Sequence, residues 1–187
     1  MPPIFIAYYT QGTGYADEAQ ELAHTLTEFG LDFDVRGVPN LGSWQANTSF
    51  KPTFIRNMML EHEGRQIVYL DADARVRHRP ILLIDGMDGI DFAAHWKDGH
   101  ELLGGTLYFG PGQKSWELVR RWQQECAEHP DVWDQKNLQA VVETGAVVDL
   151  SLTRISPPYC LIYDLMASQG PPIIEHLQAS RRLKHHV

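Results

Sequence analysis

Apolar residues are grouped along the chain in two recurring rhythms. Ile4 to Tyr9 is a short, nearly continuous apolar run with β-branched and aromatic members, the composition of a buried strand. The turn Thr10-Gln11-Gly12-Thr13-Gly14 follows. From Tyr15 to Phe29 the apolar positions Ala19, Leu22, Ala23, Leu26 and Phe29 recur at helical spacing, and Gly30 supplies a stop. Leu31 to Val35 then predicts a second strand. A β-α-β opening of this kind favours a parallel sheet with flanking helices. Asn40 to Ser49 is polar and predicts a loop. Pro52 to Glu63 predicts a helix with proline in its first turn and an apolar face from Phe54, Ile55, Met58, Met59 and Leu60.

The clearest strand is Ile67-Val68-Tyr69-Leu70, which runs directly into Asp71-Ala72-Asp73. Further strands are expected at Asp91 to His95 and Thr106 to Phe109, and helices at Lys114 to Glu128 and Gln135 to Glu143. The chain then passes through Val147 to Leu150 and a Pro157-Pro158 turn. A short strand at Ile173-Ile174 precedes a basic end. Neither an internal repeat nor a low-complexity linker interrupts the 187 residues, so the expectation is one domain over 1–187, with residues 1–75 as one half and 76–187 as the other.

Composition narrows the picture. Hydrophobic residues make up 43% and charged residues 21%, ordinary proportions for a globular chain, and no run approaches the roughly 20 apolar residues of a membrane span. The N-terminus lacks the basic segment of a signal peptide, and two cysteines form neither a disulfide framework nor a zinc pattern, so a cytoplasmic protein is expected. A net charge of −8 disfavours nucleic acid and anionic membranes as general partners, because such binding rests on Lys and Arg neutralising phosphates. The last seven residues, Arg181 to Val187, run against that balance. They are either a solvated tail or a segment that closes over an anionic ligand.

In open α/β sheets ligands bind beyond the carboxyl ends of strands, and Asp71 and Asp73 stand at such an end. In extended backbone their side chains would point apart, whereas a turn beginning at Ala72 would let both carboxylates converge on one cation. Oxygen ligands of this type suit Mg2+ or Mn2+, which also take oxygens from a diphosphate. The plainer alternative is a pair of turn residues closing a strand.

At this point the sequence resembles a known family. Ile67 to Pro80, IVYLDADARVRHRP, resembles the DxD region of GT-A nucleotide-diphospho-sugar glycosyltransferases. Ile4 to Thr10 is similar to the first strand of their nucleotide-binding half, and Asn47 to Arg56 to the helix before the DxD strand. Gly104-Gly105-Thr106-Leu107-Tyr108-Phe109 resembles the strand beside the sugar pocket. Asp134-Gln135, with Leu138 three positions on, resembles the helix start of the glycogenin and galactosyltransferase-like retaining group. Ile174-Glu175-His176 resembles the C-terminal histidine segment that completes the metal site. These matches occur in the family's order over nearly the whole chain.

The resemblance implies a single-domain, Rossmann-like α/β fold with a mixed, mostly parallel sheet flanked by helices. It implies a Mn2+ or Mg2+ cofactor held by Asp71, Asp73 and His176, although His176 taken alone reads more readily as a surface or core histidine. The implied donor is a nucleotide-sugar, with UDP as the family's usual carrier. Tyr8, Thr10 and Gln11 would lie at the base and ribose, and Lys51 would reach the donor unless it is simply solvated. Gly104 and Gly105 would allow close approach of the sugar. Asp134 and Gln135 would face the sugar ring in a retaining reaction, although Asp134 also suits a helix N-cap. Arg181, Arg182 or Lys184 would contact the diphosphate; the family's Lys-Pro-Trp ending is absent, which leaves the choice among them open. Asp91, His95 and Trp96 are expected near the acceptor, whose identity the sequence does not give. A nucleotidyltransferase would normally carry basic residues in the early glycine loop, where none occur, and a non-catalytic nucleotide-binding module would not need the carboxylate pair.

Overall fold

The computed structural model describes residues 2–167 and 170–183. A six-stranded sheet forms its centre. Strand β1 (Ile4–Thr10) is followed by helix α1 (Tyr15–Glu28) and β2 (Phe33–Val38), then by α2 (Trp44–Ser49), α3 (Lys51–Glu61) and β3 (Ile67–Leu70). After a tight turn come β4 (Ala74–Val76), α4 (Ile81–Asp85), β5 (Phe92–Lys97), β6 (Glu101–Phe109), α5 (Gln113–Glu128) and α6 (Asp134–Glu143). The chain continues through β7 (Leu152–Arg154), a 3-10 turn at Pro157–Cys160, β8 (Leu161–Ile162), β9 (Ile174–His176) and α7 (Ser180–Leu183).

The central order is β2-β1-β3-β6-β5-β7, in which β1 pairs in parallel with β2 and β3, and β5 pairs in parallel with β7. Only β6 runs against its neighbours. The expected mixed, mostly parallel α/β sheet flanked by helices is therefore what the chain forms. A second sheet, β4-β9-β8, stands beside it.

Burial on both faces explains why the strands read as apolar runs rather than alternations. Along β1 the side chains still alternate in direction. Ile4, Ile6 and Tyr8 enter one core with Phe54, Ile55 and Met58 of α3 and Leu118 and Trp122 of α5. Phe5 and Ala7 enter the other with Leu22 and Leu26 of α1 and Ile174 of β9. Strand β2 is an edge strand and only half-buried; its Arg36 pairs with Asp34 and Glu61 at the surface.

Several element boundaries differ from the sequence expectation for identifiable reasons. The segment expected as loop over 40–49 contains α2, because Ser43 caps it by accepting the Ala46 N–H at 3.1 Å. The buried Asn47 side chain also accepts the Leu41 N–H at 2.8 Å and so folds the preceding loop back onto the helix. Strand β6 begins five residues before the expected Thr106, since the chain reverses at Asp98-Gly99, both at positive φ, and not at Gly104-Gly105. The second strand lies over Phe33–Val38 instead of 31–35. Among the described residues no helix is long and apolar enough to cross a membrane. Cys126 and Cys160 are both buried and free.

Trp122 links this core to the surface above it: its indole is fully buried, and Nε1 donates to the Asp134 carbonyl at 2.8 Å. We expect Trp122→Ala to destabilise the protein by about 3–5 kcal/mol, through the cavity and the orphaned carbonyl together. Urea unfolding followed by far-UV circular dichroism measures this, and a loss below about 1 kcal/mol would contradict it.

Candidate metal and donor site

The site starts at the end of β3. Asp71 still donates its backbone N–H to Gly105 of β6 at 2.9 Å, but its carbonyl accepts the Ala74 N–H at 2.9 Å. The chain therefore turns through Ala72 and Asp73, and the two carboxylates converge instead of pointing apart. Strand β4 then pairs with β9, placing Ala74 opposite His176. Oxygens of Asp71 and Asp73 and a ring nitrogen of His176 all lie within 4.8 Å of one another.

Each of these groups is held from behind. Asp73 Oδ2 accepts the Ala179 N–H at 2.8 Å, while Oδ1 lies 3.9 Å from His176 Nδ1. His176 Nε2 is 2.8 Å from Thr106 Oγ1. When Nε2 carries the proton and donates it to Thr106, the Nδ1 lone pair faces Asp73; this buried nitrogen has no hydrogen-bond partner. Gly105 makes the arrangement possible, because a Cβ there would stand 2.8 Å from His176 Cε1. With no cation bound, burial works against a proton on His176, but Cys160 and Asp73 outweigh it and raise its pKa to about 10, so a cation taken up at Nδ1 would displace a proton. Burial likewise opposes charge on Asp73, yet the nearby His176 ring leads the effects that hold its carboxyl below the usual range. Two carboxylates and an otherwise unpaired imidazole nitrogen fit a divalent cation.

Beside the triad lies Lys51, whose ammonium is buried with 6% of the residue exposed. Nζ is 3.1 Å from Asp71 Oδ1, 3.1 Å from Asp134 Oδ2 and 3.2 Å from the Gly104 carbonyl that accepts from it. It also sits 5.1 Å above the Tyr69 ring, and Tyr69 Oη donates to Asp71 Oδ1 at 2.9 Å. Burial disfavours the ammonium, but Asp134 and Asp71 outweigh that and raise its pKa. Asp134 is shifted up, because its own burial exceeds the help from Lys51. The solvated reading of Lys51 is thus corrected: it is the buried counter-ion of the site. Asp134 is the first residue of α6, preceded by Trp133 at the cap, and its carboxylate is turned to Lys51.

A cavity of about 330 Å3 opens over these groups. Of the residues expected from sequence, Tyr8, Thr10, Lys51, Asp71, Asp73, Asp134, Gln135 and Arg181 line it. Tyr8 is buried and donates its hydroxyl to the Asn47 carbonyl at 2.7 Å. Gln135 is fixed by accepting the Gly104 N–H at 2.9 Å. Gln11 is not in the lining; it is exposed, with its side chain packed over Gly37. Gly104 and Gly105 do not line the cavity either: they lie behind it, against Lys51 and Gln135 and against His176. Arg181 reaches the lining while paired with Asp164, and Arg182 pairs with Glu18 at 2.7 Å. Lys184 lies outside the described residues. Asp91 is at the opposite end of β5 from His95 and Trp96, where it accepts the Ser151 N–H at 2.9 Å. His95 and Trp96 line a separate cavity of about 310 Å3.

Five aromatic residues of the main cavity went unrecognised as site residues in the sequence: Tyr9, Tyr15, Trp44, Tyr69 and Trp133. Trp44 lay in a stretch read as loop. Trp133 stands immediately before Asp134-Gln135, and that adjacency was the available signal.

Family models give no match to this chain, and characterised sequences give none either. Solved structures do match. One is a glycosyltransferase involved in the glycosylation of the major capsid of PBCV-1, at TM-score 0.69 and 15% identity over 95% of this chain and 93% of that one. Another is the galactosyltransferase LgtC in complex with donor and acceptor sugar analogues, at TM-score 0.58 and 13% identity over 92% and 86%. With its six-stranded sheet and helices in the same arrangement, the chain has the GT-A-like glycosyltransferase fold.

Proposed function

We propose that this protein is a metal-dependent glycosyltransferase that takes a sugar from a nucleoside diphosphate sugar, with UDP as carrier, and passes it to an acceptor with retention of anomeric configuration. The observation that carries the reading is the convergence of Asp71, Asp73 and the unpaired Nδ1 of His176 at a strand end that opens into a cavity. A structural turn would not require a buried imidazole nitrogen to be left without a partner.

Asp71, Asp73 and His176 would hold Mn2+ or Mg2+, the imidazole nitrogen favouring Mn2+. When bound, the ion supplies Lewis-acid neutralisation of the departing nucleoside diphosphate. The chain's own residues do the remainder. Thr106 and the Ala179 N–H fix the faces that His176 and Asp73 present. Tyr8 and Thr10 bound the nucleoside end of the cavity, and Arg181 offers a second positive charge to phosphate oxygens. Asp134 and Gln135 stand at the floor for the sugar hydroxyls, and Lys51, 3.1 Å from both Asp71 and Asp134, sets a positive charge between the two carboxyl groups. Retention is supported by the likeness of Asp134-Gln135 to the retaining group, and UDP as carrier by the habit of the family that the sequence resembles.

Three outcomes test this reading. Nucleotide release from a panel of UDP-sugars should depend on Mn2+, and Asp73→Asn should lower kcat/KM by at least about a hundredfold, since several kcal/mol of charge stabilisation are lost. Mn2+-independent release, or an active variant, refutes the metal role. Gly105→Ala should displace the His176 ring and reduce the rise in melting temperature on adding Mn2+, while the protein without added metal melts within a few degrees of the parent. An unaltered Mn2+ response would count against His176 as a ligand.

Lys51→Met leaves Asp134 buried without its cation, which should cost about 3–5 kcal/mol at neutral pH. A buried carboxyl raised above its unfolded value is tolerated while protonated and penalised once pH climbs through its folded pKa. The penalty should therefore shrink toward about pH 4, near the unfolded value of Asp, and grow toward about pH 8. A pH-independent penalty in urea titrations would remove Lys51 as the counter-ion.

A further inference from the structure

Depth orders the main cavity. Asp73, Lys51 and Asp134 line it while buried, with His176 buried behind Asp73, whereas Trp133, next to Asp134 in the chain, lines it 56% exposed. An indole with that much surface in water is poorly placed for stability. Its backbone position makes the choice costlier. Trp133 is the N-cap of α6, with extended φ −61° and ψ 141°, and it makes no side-chain cap hydrogen bond. Ser, Thr, Asp or Asn there would stabilise the helix by about 1 kcal/mol. Local rules set aside in this way mark functional positions.

The platform is also rigid. The Trp133 carbonyl accepts from Lys136 and Asn137 at 2.9 and 3.0 Å. Asn137 Nδ2 holds the His129 and Val132 carbonyls, and Gln45 Nε2 donates to the Pro130 carbonyl at 2.9 Å, tying the loop to α2. From α2, Trp44 meets Trp133 edge to face, with ring centroids 6.2 Å apart and planes at 82°. This geometry braces the edge of one indole against the face of the other and holds the pair at the mouth.

We infer that Trp133, braced by Trp44, is the platform on which the acceptor binds, and that the acceptor is a sugar lying with its apolar ring face on the indole. This rests on the donor reading above. A donor tied to the metal triad occupies the base, so the group that enters last meets the rim. A pyranose combines an apolar C–H face with a periphery of hydroxyls. The indole meets the first, while the Gln135 amide and the Thr48 hydroxyl, both on the same lining, stand ready for the second. A nucleobase would also stack, but its phosphates would approach a protein of net charge −8. In the transfer itself the acceptor hydroxyl oxygen bonds to the anomeric carbon as the carbon–diphosphate oxygen bond breaks, and the hydroxyl proton leaves with the diphosphate.

The test uses the full chain labelled with 15N, with UDP and Mn2+ present, and follows the Trp133 indole N–H resonance, assigned by Trp133→Phe. Methyl glucoside, methyl galactoside, methyl mannoside and methyl N-acetylglucosaminide are titrated in turn, with single-stranded oligothymidine and a serine-rich peptide as contrasts. At least one glycoside should shift this resonance. Trp133→Ala should weaken its binding about fivefold to tenfold, and Trp133→Phe should restore most of it, as expected for aromatic stacking. In turnover, Trp133→Ala should lose transfer to that glycoside by a larger factor than it loses acceptor-free nucleotide release. The proposal fails if no glycoside moves the resonance, if oligothymidine or the peptide moves it instead, or if transfer and release fall together. Acceptor-free release reports on the donor reading separately. Release with no glycoside effect sinks the platform alone; a glycoside shift with no release from any UDP-sugar sinks the donor reading and leaves the platform a sugar site.

Discussion

A single buried ammonium organises this site. Lys51 comes from the start of α3 and touches the end of β3 through Asp71, the start of α6 through Asp134 and the middle of β6 through the Gly104 carbonyl. Asp134, buried without a cation, would tend to take up a proton, since isolated charge is expensive in a dry interior. Lys51 opposes that burial penalty from 3.1 Å, and reaches the half-exposed Asp71 at the same distance. The Tyr69 ring and hydroxyl add a weaker second hold on the same pair. The elements α3, β3, α6 and β6 are thereby tied around one nitrogen at the cavity floor.

The second organising feature is the small sheet. Strand β4 is only three residues long, and by itself would not persist. Pairing with β9, which pairs in turn with β8, gives it neighbours, and the register sets His176 opposite Ala74, next to Asp73. The buried Arg75 side chain continues from there to Glu18 of α1, at 2.6 Å, and Arg182 of α7 meets the same carboxylate. The turn carrying the carboxylates is thus anchored on both sides, by the central sheet through Asp71 and by the C-terminal segment through Asp73.

Much of this was readable from the residues, and the limits are physical. Strands buried on both faces are apolar throughout, so β1 and β3 stood out, as did helices such as α1 and α5 with one apolar stripe. The carboxylate pair was visible because a strand of four apolar residues delivered it. Short elements held by side-chain caps were not visible: α2 depends on Ser43 and on the buried amide of Asn47, neither of which leaves a hydrophobic rhythm. Gly104-Gly105 looked like a turn or a sugar contact, because sequence does not reveal that a distant imidazole and a distant ammonium need the space. Lys51 and Arg181 were named as candidates, yet only the fold distinguishes a lysine locked between two carboxylates from one in water. The rim tryptophans were missed for the opposite reason, since an exposed aromatic has no pattern to betray it.

One consequence follows from where Asp73 finds its partners. The amide of Ala179 that its carboxylate accepts lies 106 positions further along the chain, and His176, the triad's one nitrogen ligand, is only three residues short of that amide. A cation gripping Asp71, Asp73 and His176 would close that span into a loop, much as a covalent crosslink does, and the advantage of such closure grows with the length enclosed. The ion would then act as a clasp as well as a reagent. Tethering of β9 and completion of the triad would be one equilibrium, so that loosening either would loosen the other.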